Sequence, residues 1–184
     1  MTQTVYYLPG HGGLISTGLG AAIADRGFAV TGRETVGEFY QLPFQEQVRL
    51  VADDLERDFW SSDARVVANS FGGYLFLHAQ ALLDGVYSGR VLILSPIVGG
   101  FTNEQTMRRY YPPSSERLME LANLGVFNTP AHAEIHVGAE DWQSHPDKVT
   151  EFGQLAGIPV TVIPGMGHML NRVYVGSLLD QLFA

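Results

Sequence analysis

Ser70 has the sequence surroundings that most clearly suggest chemistry. A short apolar run over 66–68 precedes it, and an apolar, helix-like segment begins directly after it. A serine on so sharp a strand-to-helix turn presents its hydroxyl above the sheet, and the helix N-terminus favours an anionic intermediate. The strand and helix backbones nearly touch at such a turn, so small residues are needed two positions away on each side. Ala68 and Gly72 meet this requirement, which favours a nucleophile over a serine that only caps a helix.

The pattern Ala68-x-Ser70-x-Gly72 resembles the nucleophile motif of the α/β-hydrolase superfamily, which is usually Gly-x-Ser-x-Gly. Ala68 is a mild departure from that motif. The resemblance covers nearly the whole chain, because strands and candidate catalytic residues follow one another in the family's order. The family's first two strands have no counterpart here. The resemblance therefore implies a minimal α/β-hydrolase fold.

The resemblance also implies two partners for Ser70. Asp141 follows a strand in the Gly-x-x-Asp setting that is common for the family's acid, whereas Glu140 and Asp147 match it less well. His168 lies in a glycine-rich loop after the last strand, where the family carries its general base. Serine, acid and histidine occur in the chain order of other α/β-hydrolases. Asp141 would then orient His168, which takes the proton from Ser70. Taken alone, Asp141 reads as a turn residue and His168 as a loop residue bonded to backbone.

The loop after the first strand, Pro9-Gly10-His11-Gly12-Gly13, matches the family's oxyanion loop, with Pro9 in place of the usual histidine. The resemblance implies that the backbone N–H groups of His11 and Phe71 stabilise the tetrahedral oxyanion. The side chain of His11 could contact substrate or only border the pocket.

Two other kinds of ligand site are disfavoured. Gly10-x-Gly12 begins like a dinucleotide-binding motif, but Ile15 occupies the third glycine position and only Glu34 could serve as the ribose-binding acid. A strand would place three possible metal ligands on one face, and we expect them to be hydrogen-bonded or edge residues instead: His132, Glu134 and His136.

Composition narrows the class of protein. The 184 residues suit one domain over 1–184, and 46% of them are hydrophobic, enough for a packed core. The net charge of −8 and the lack of a cationic cluster beyond Arg108-Arg109 argue against nucleic-acid binding. The absence of cysteine excludes disulfides and a thiolate nucleophile. No apolar run suggests a membrane span and no signal peptide is recognisable, so we expect a cytoplasmic protein without membrane partners.

The secondary-structure pattern predicts the scaffold for these residues. Short β-branched runs alternate with amphipathic segments, which is typical of buried parallel strands joined by helices. We expect an α/β fold, a three-layer α/β/α sandwich with a roughly six-stranded parallel sheet. The predicted strands are 5–8, 28–30, 65–68, 91–94, 135–137 and 160–163, and the predicted helices are 44–59, 71–83, 146–156 and 172–183.

The segment 96–130 interrupts this alternation. It predicts either a small cap insertion or a crossover helix with a long lead-in, with one helix beginning at Ser114 or Ser115 and running to Leu124. Its apolar and aromatic residues, with Leu14 and Phe71, suggest an apolar acyl pocket. Leu14, Ser95 and Trp142 are candidate pocket residues.

These observations predict a hydrolase of a carboxylic ester or thioester that acts on a small or medium acyl substrate without a cofactor. The same three residues could instead act on another bond, such as an amide or a carbon–carbon bond, or in acyl transfer, because a fold does not fix the substrate. A binding protein on a hydrolase scaffold is the alternative from another class. The sequence does not predict the oligomeric state.

Overall fold

A parallel sheet of six strands forms the centre of the computed structural model, which describes residues 3–103 and 105–184. Its strands, together with a separate antiparallel pair, are β1 (Thr4–Leu8), β2 (Ala29–Gly32), β3 (Arg65–Asn69), β4 (Arg90–Leu94), β5 (Phe101–Asn103), β6 (Arg108–Tyr110), β7 (His132–Gly138) and β8 (Val160–Ile163). The order across the sheet is β2-β1-β3-β4-β7-β8, and β5 pairs with β6 outside it. The predicted six-stranded parallel sheet is confirmed.

Helices cover both faces of the sheet, as predicted. They are α1 (Leu19–Ala24), α2 (Gly37–Gln41), α3 (Phe44–Asp58), α4 (Phe71–Gln80), α5 (Arg117–Asn123), α6 (Pro146–Ala156) and α7 (Arg172–Phe183). One hydrophobic cluster joins the sheet to α3, α4, α5 and α6. A second cluster joins the opposite face to α1 and α7. The three-layer α/β/α architecture is therefore confirmed.

Alternating side chains explain why the central strands are apolar throughout. In β1, Tyr6 and Leu8 belong to the cluster under α3–α6, whereas Val5 and Tyr7 belong to the cluster under α1 and α7. Successive residues of a strand point to opposite faces, and here each face is covered by helices. An uninterrupted apolar run is therefore what such a strand requires.

The strand order of the sheet changes direction after β2, because the next strand, β3, is added on the opposite side of β1. β2 lies on one side of β1, while β3 lies on the other. The loops that leave the carboxyl ends of β1 and β3 consequently diverge and leave an opening between them. Ligands of open α/β sheets are bound at such switch points. Ser70 directly follows β3, and the loop containing His11 directly follows β1.

The segment 96–130 combines a hairpin with a helix, and whether it acts as a cap stays a prediction. It forms the unpredicted β5–β6 hairpin and then α5, whose Leu118 and Leu121 are buried in the core. The helix begins at Arg117, later than expected. The β5–β6 connection includes Glu104, which together with Met1 and Thr2 lies outside the described residues. None of the helices in the described part of the chain has the length and hydropathy that crossing a bilayer requires.

Candidate active site

Ser70 lies on a strained turn between β3 and α4. Its backbone has φ 53° and ψ −118°, a left-handed conformation that costs free energy in a residue with a side chain. The turn is held by the Ser70 N–H, which donates to the carbonyl of Leu94 at 2.9 Å. A Cβ at Gly72 would lie 2.0 Å from the carbonyl oxygen of Leu8, so only glycine allows α4 to start this close to β1. The small residue predicted at position 72 therefore has a direct steric reason.

The hydroxyl of Ser70 contacts the imidazole of His168. The distance from Ser70 Oγ to His168 Nε2 is 2.8 Å, across 98 residues of sequence. Both side chains are partly buried, and 14% of the His168 side chain is exposed. A hydroxyl in this position can donate to a neutral imidazole and transfer its proton when it attacks an electrophile.

Asp141 holds the other side of the imidazole. Its Oδ2 lies 2.9 Å from His168 Nδ1, while its Oδ1 accepts the backbone N–H groups of Gln143 and Ser144, each at 2.9 Å. Burial by itself would raise the pKa of Asp141, but the hydrogen bonds from His168, Ser144 and Gln143 outweigh it and hold the pKa below its usual range. An ionised carboxylate only accepts hydrogen bonds, so His168 Nδ1 carries the proton and Nε2 is free to accept from Ser70.

Close approach of two loops brings Asp141 and His168 together. A Cβ at Gly138, the last residue of β7, would lie 2.2 Å from the carbonyl oxygen of Met166 and 2.4 Å from that of Gly167. The N–H of Glu140 also donates to the carbonyl of Met166 at 2.9 Å. The loop after β8 can therefore fold directly over the end of β7, which explains why glycine precedes the acid.

Ser144 is a residue of this site that no sequence pattern indicated. Its side chain is buried, its Oγ donates to the carbonyl of Ser95 at 2.5 Å, and the same Oγ lies 3.4 Å from His168 Nδ1. Its backbone N–H already binds Asp141. Ser144 thus links the acid, the imidazole and the end of β4.

Some N–H groups of the loop after β1 already donate hydrogen bonds within the protein. The N–H of Gly12 donates to Thr35, that of Gly13 to Gly10 and Thr35, and that of Ile15 to the carboxylate of Glu34. Among the contacts of the described residues, neither the His11 nor the Phe71 N–H donates a hydrogen bond. Both groups predicted to form the oxyanion hole are therefore unused. Their role as oxyanion donors stays a prediction.

The predicted pocket residues occupy different surroundings. Leu14 is exposed, and Trp142 is half-buried with its ring 5.9 Å from that of Phe101. Ser95 is buried with φ 44°. The exposed His11 ring packs edge-on against Tyr40 at 4.9 Å.

Two cavities lie near these residues. The first, of about 310 Å³, lies in the 96–130 region and is bordered by four charged residues, Arg109, Glu116, Lys148 and Glu151. Apolar and aromatic side chains of the same segment, including Val98, Phe101 and Met119, border it as well, and the acyl pocket expected there stays a prediction. The second lies between α1 and α7, has a volume of about 540 Å³, and is bordered by Asn69, Ser95 and His168. We call it the α1–α7 crevice.

The residues of the two disfavoured ligand sites have other partners. Glu34 binds the Ile15 N–H, as described above. His136 is buried, with Nδ1 2.7 Å from the Tyr174 hydroxyl, while His132 is exposed. Within 3–103 and 105–184, no three histidine or acidic side chains are arranged to hold a metal ion.

Comparison with known proteins identifies the fold. The ydeN gene product from B. subtilis matches with a TM-score of 0.69 at 12% identity, over 99% of each chain. Est1E from Butyrivibrio proteoclasticus matches with a TM-score of 0.65 at 14% identity, over 98% of this chain and 86% of Est1E. SOBER1 from Arabidopsis thaliana matches with a TM-score of 0.63 at 12% identity, over 100% of both chains. These are small α/β-hydrolase-fold proteins, so the chain has an α/β-hydrolase fold. No protein-family model matches the sequence, and no curated protein matches it.

Proposed function

We propose that this protein is a serine hydrolase that cleaves a carboxylic ester or thioester through an acyl-enzyme. The observation that carries the proposal is the continuous chain of contacts from Ser70 Oγ through the His168 ring to Asp141, at 2.8 Å and 2.9 Å. A serine nucleophile, a base and a group that orients the base are the three parts this chemistry needs. The fold supports the proposal, because the three residues follow the carboxyl ends of β3, β7 and β8.

Each step of the reaction has a group to perform it. Ser70 Oγ bonds to the carbonyl carbon as its proton moves to His168 Nε2, and the carbonyl electrons move to the oxygen. The N–H groups of His11 and Phe71 donate to that oxyanion. When the intermediate collapses, the bond to the leaving group breaks and His168 returns the proton to it. Water then attacks the acyl-enzyme by the same route, which releases the carboxylic acid and restores Ser70.

Fluorophosphonate labelling tests this proposal without knowledge of the substrate. We expect the wild-type protein to be labelled, Ser70→Ala to be unlabelled, and His168→Ala to be labelled far more slowly. Ser177→Ala is a suitable control, because Ser177 is an exposed serine of α7. A folded wild-type protein that is not labelled, or labelling that survives Ser70→Ala, would contradict the mechanism and favour a binding protein on a hydrolase scaffold.

A substrate panel then separates the bonds that the same residues could cleave. Esters, acyl-CoA thioesters and amides should be compared at equal concentration. One solved structure of Est1E holds ferulic acid, so a feruloyl ester belongs in the panel. Turnover of esters or thioesters well above that of amides is the expected result, whereas a preference for amides would contradict the assigned bond type.

A further inference from the structure

The two helices that border the α1–α7 crevice are connected by specific contacts of Arg26. Arg26, which follows the C-terminus of α1, bonds to the carbonyl of Gly176 in α7 at 3.0 Å and to Asp180 of α7 at 2.7 Å. It also binds the carbonyl of Ala22 in α1 at 2.8 Å. These contacts fix the spacing between the two helices. The volume of about 540 Å³ falls within the range of small-molecule sites, roughly 300–1,000 Å³.

Apolar side chains predominate around the crevice, and three charged ones, Asp25, Arg26 and Arg172, also border it. The apolar side chains come from both helices and from the loop before α7, and include Leu19, Ala22, Leu170, Val175 and Leu179. Asn69, Ser95 and His168 border the crevice at the edge of the sheet where the strands end. Asn69 Oδ1 accepts the Tyr7 hydroxyl at 2.9 Å, which orients its amide. Ser95 Oγ is buried without a hydrogen-bond partner among the described residues, and such a group is costly unless something binds it.

We propose that the α1–α7 crevice binds the apolar alcohol portion of an ester substrate, with the ester oxygen beside His168. This inference rests on the proposed hydrolase function. Of the proposed catalytic groups, the crevice is lined by His168 and by neither Ser70 nor the oxyanion donors. His168, as the general acid, must reach the oxygen of the leaving group. The leaving alcohol should therefore lie on the side of Ser70 where His168 borders the crevice. Apolar side chains outnumber charged ones around the crevice, whereas the 96–130 cavity is bordered by as many charged side chains as apolar or aromatic ones, so the crevice suits an apolar chain better.

Filling the crevice provides the test. Ala22→Leu adds bulk inside the crevice and keeps a strong helix former, while Ala24→Leu makes the same change on the exposed side of α1. Gly176→Leu, with Ser177→Leu as its control on α7, repeats the comparison in case the α1 variant does not fold. The assay measures kcat/KM for acetate esters of methyl, butyl, hexyl and octyl alcohol, and for p-nitrophenyl esters of acids from acetate to octanoate.

We expect wild-type kcat/KM to rise with alcohol length. In Ala22→Leu, kcat/KM should fall at least tenfold for octyl acetate and less than threefold for methyl acetate. A tenfold loss is expected when about two methylene groups of the alcohol are excluded from an apolar site. The dependence on acyl length should keep its wild-type shape. An unchanged alcohol profile in both crevice variants, or a change confined to the acyl series, would overturn the assignment.

Binding to catalytically inactive protein separates this inference from the proposed function. Ser70→Ala protein should show a higher Tm in the presence of 1-octanol, and adding Ala22→Leu should abolish the increase. Octanol that stabilises both proteins equally would contradict the crevice as the binding site. Failure of the proposed function is detected differently, as absence of fluorophosphonate labelling in the wild-type protein.

Discussion

Asp141→Asn is the most informative single substitution, because the structure fixes how the new amide must lie. The backbone N–H groups of Gln143 and Ser144 both point at Oδ1. An asparagine keeps these two bonds only if its carbonyl oxygen takes that position, 3.0 Å from His168 Nδ1, which puts its NH2 group in the place of Oδ2, 2.9 Å from the same nitrogen. A donor at that distance disfavours a proton on Nδ1 and favours the imidazole that carries its proton on Nε2, which can then no longer accept the proton of Ser70.

The size of the effect follows from the alternative orientation. For the imidazole to keep its active tautomer without two donors facing each other, the amide must turn over and leave the N–H groups of Gln143 and Ser144 without this acceptor. Each such loss costs about 1–3 kcal/mol, or about 2–6 kcal/mol together. At about 1.4 kcal/mol for each tenfold change, the rate should fall by roughly 30-fold to 20,000-fold. The upper end agrees with the roughly 10⁴-fold loss known for this substitution in a serine-protease triad.

The second-order rate constant for fluorophosphonate labelling measures this effect without a known substrate. Glu140→Gln is the matched control, since it is the equivalent change at an exposed neighbour and should leave the rate within about twofold. Thermal unfolding establishes that both variants are folded. A folded Asp141→Asn protein labelled within tenfold of the wild-type rate would refute the tautomer argument.

Two further predictions concern buried polar side chains. Ser144→Ala removes the hydroxyl that bonds to Ser95 and keeps the N–H that binds Asp141. We therefore expect kcat to fall about three- to tenfold with KM unchanged. Steady-state kinetics with Ser177→Ala as the control measures this, and equal kinetics of the two variants would contradict it. Burial, with a smaller contribution from the charge of Arg117, lowers the pKa of His78 to about 4. Because the unfolded chain binds this proton near pH 6.5, stability should fall as the pH drops from about 6.5 to 4. His78→Leu should reduce that loss in urea unfolding at pH 7 and 4.5, and an equal loss in both proteins would contradict the assignment.

The strands and the longer helices were predictable because their boundaries are marked locally. β3 and β4 are buried on both faces, so their β-branched runs indicate strands directly. The bounds of α6 were predicted correctly, since Pro146 begins it and Gly157 follows it. α1 and α2 have six and five residues, too few for a helical period to become visible. The β5–β6 hairpin has strands of only three residues and lacks a clear alternation of buried and exposed positions.

The candidate catalytic residues were predictable for a different reason. Each follows the carboxyl end of a parallel strand, and these ends share one edge of the sheet. A motif placed after a strand therefore already has an approximate position in space. The α1–α7 crevice has no such marker, because it depends on how far apart two helices pack. Its walls at Ala22 and Gly176 come from distant parts of the sequence, and neither residue type suggests a site by itself.

The order of the strands explains why Ser144 could not be inferred from the sequence. Ser70 follows β3 and Asp141 follows β7, and β4 lies between these strands in the sheet. The end of β4 therefore occupies the space between Ser70 and Asp141. Ser95, at that end, offers its carbonyl to the Ser144 hydroxyl, which connects the acid loop to the strand beside the nucleophile. A sequence pattern predicts that these strands exist, but the neighbour of each strand is decided by packing of the whole chain. The contribution of Ser144 depends on that neighbour, so kinetic analysis of Ser144→Ala tests a feature that only the three-dimensional structure reveals.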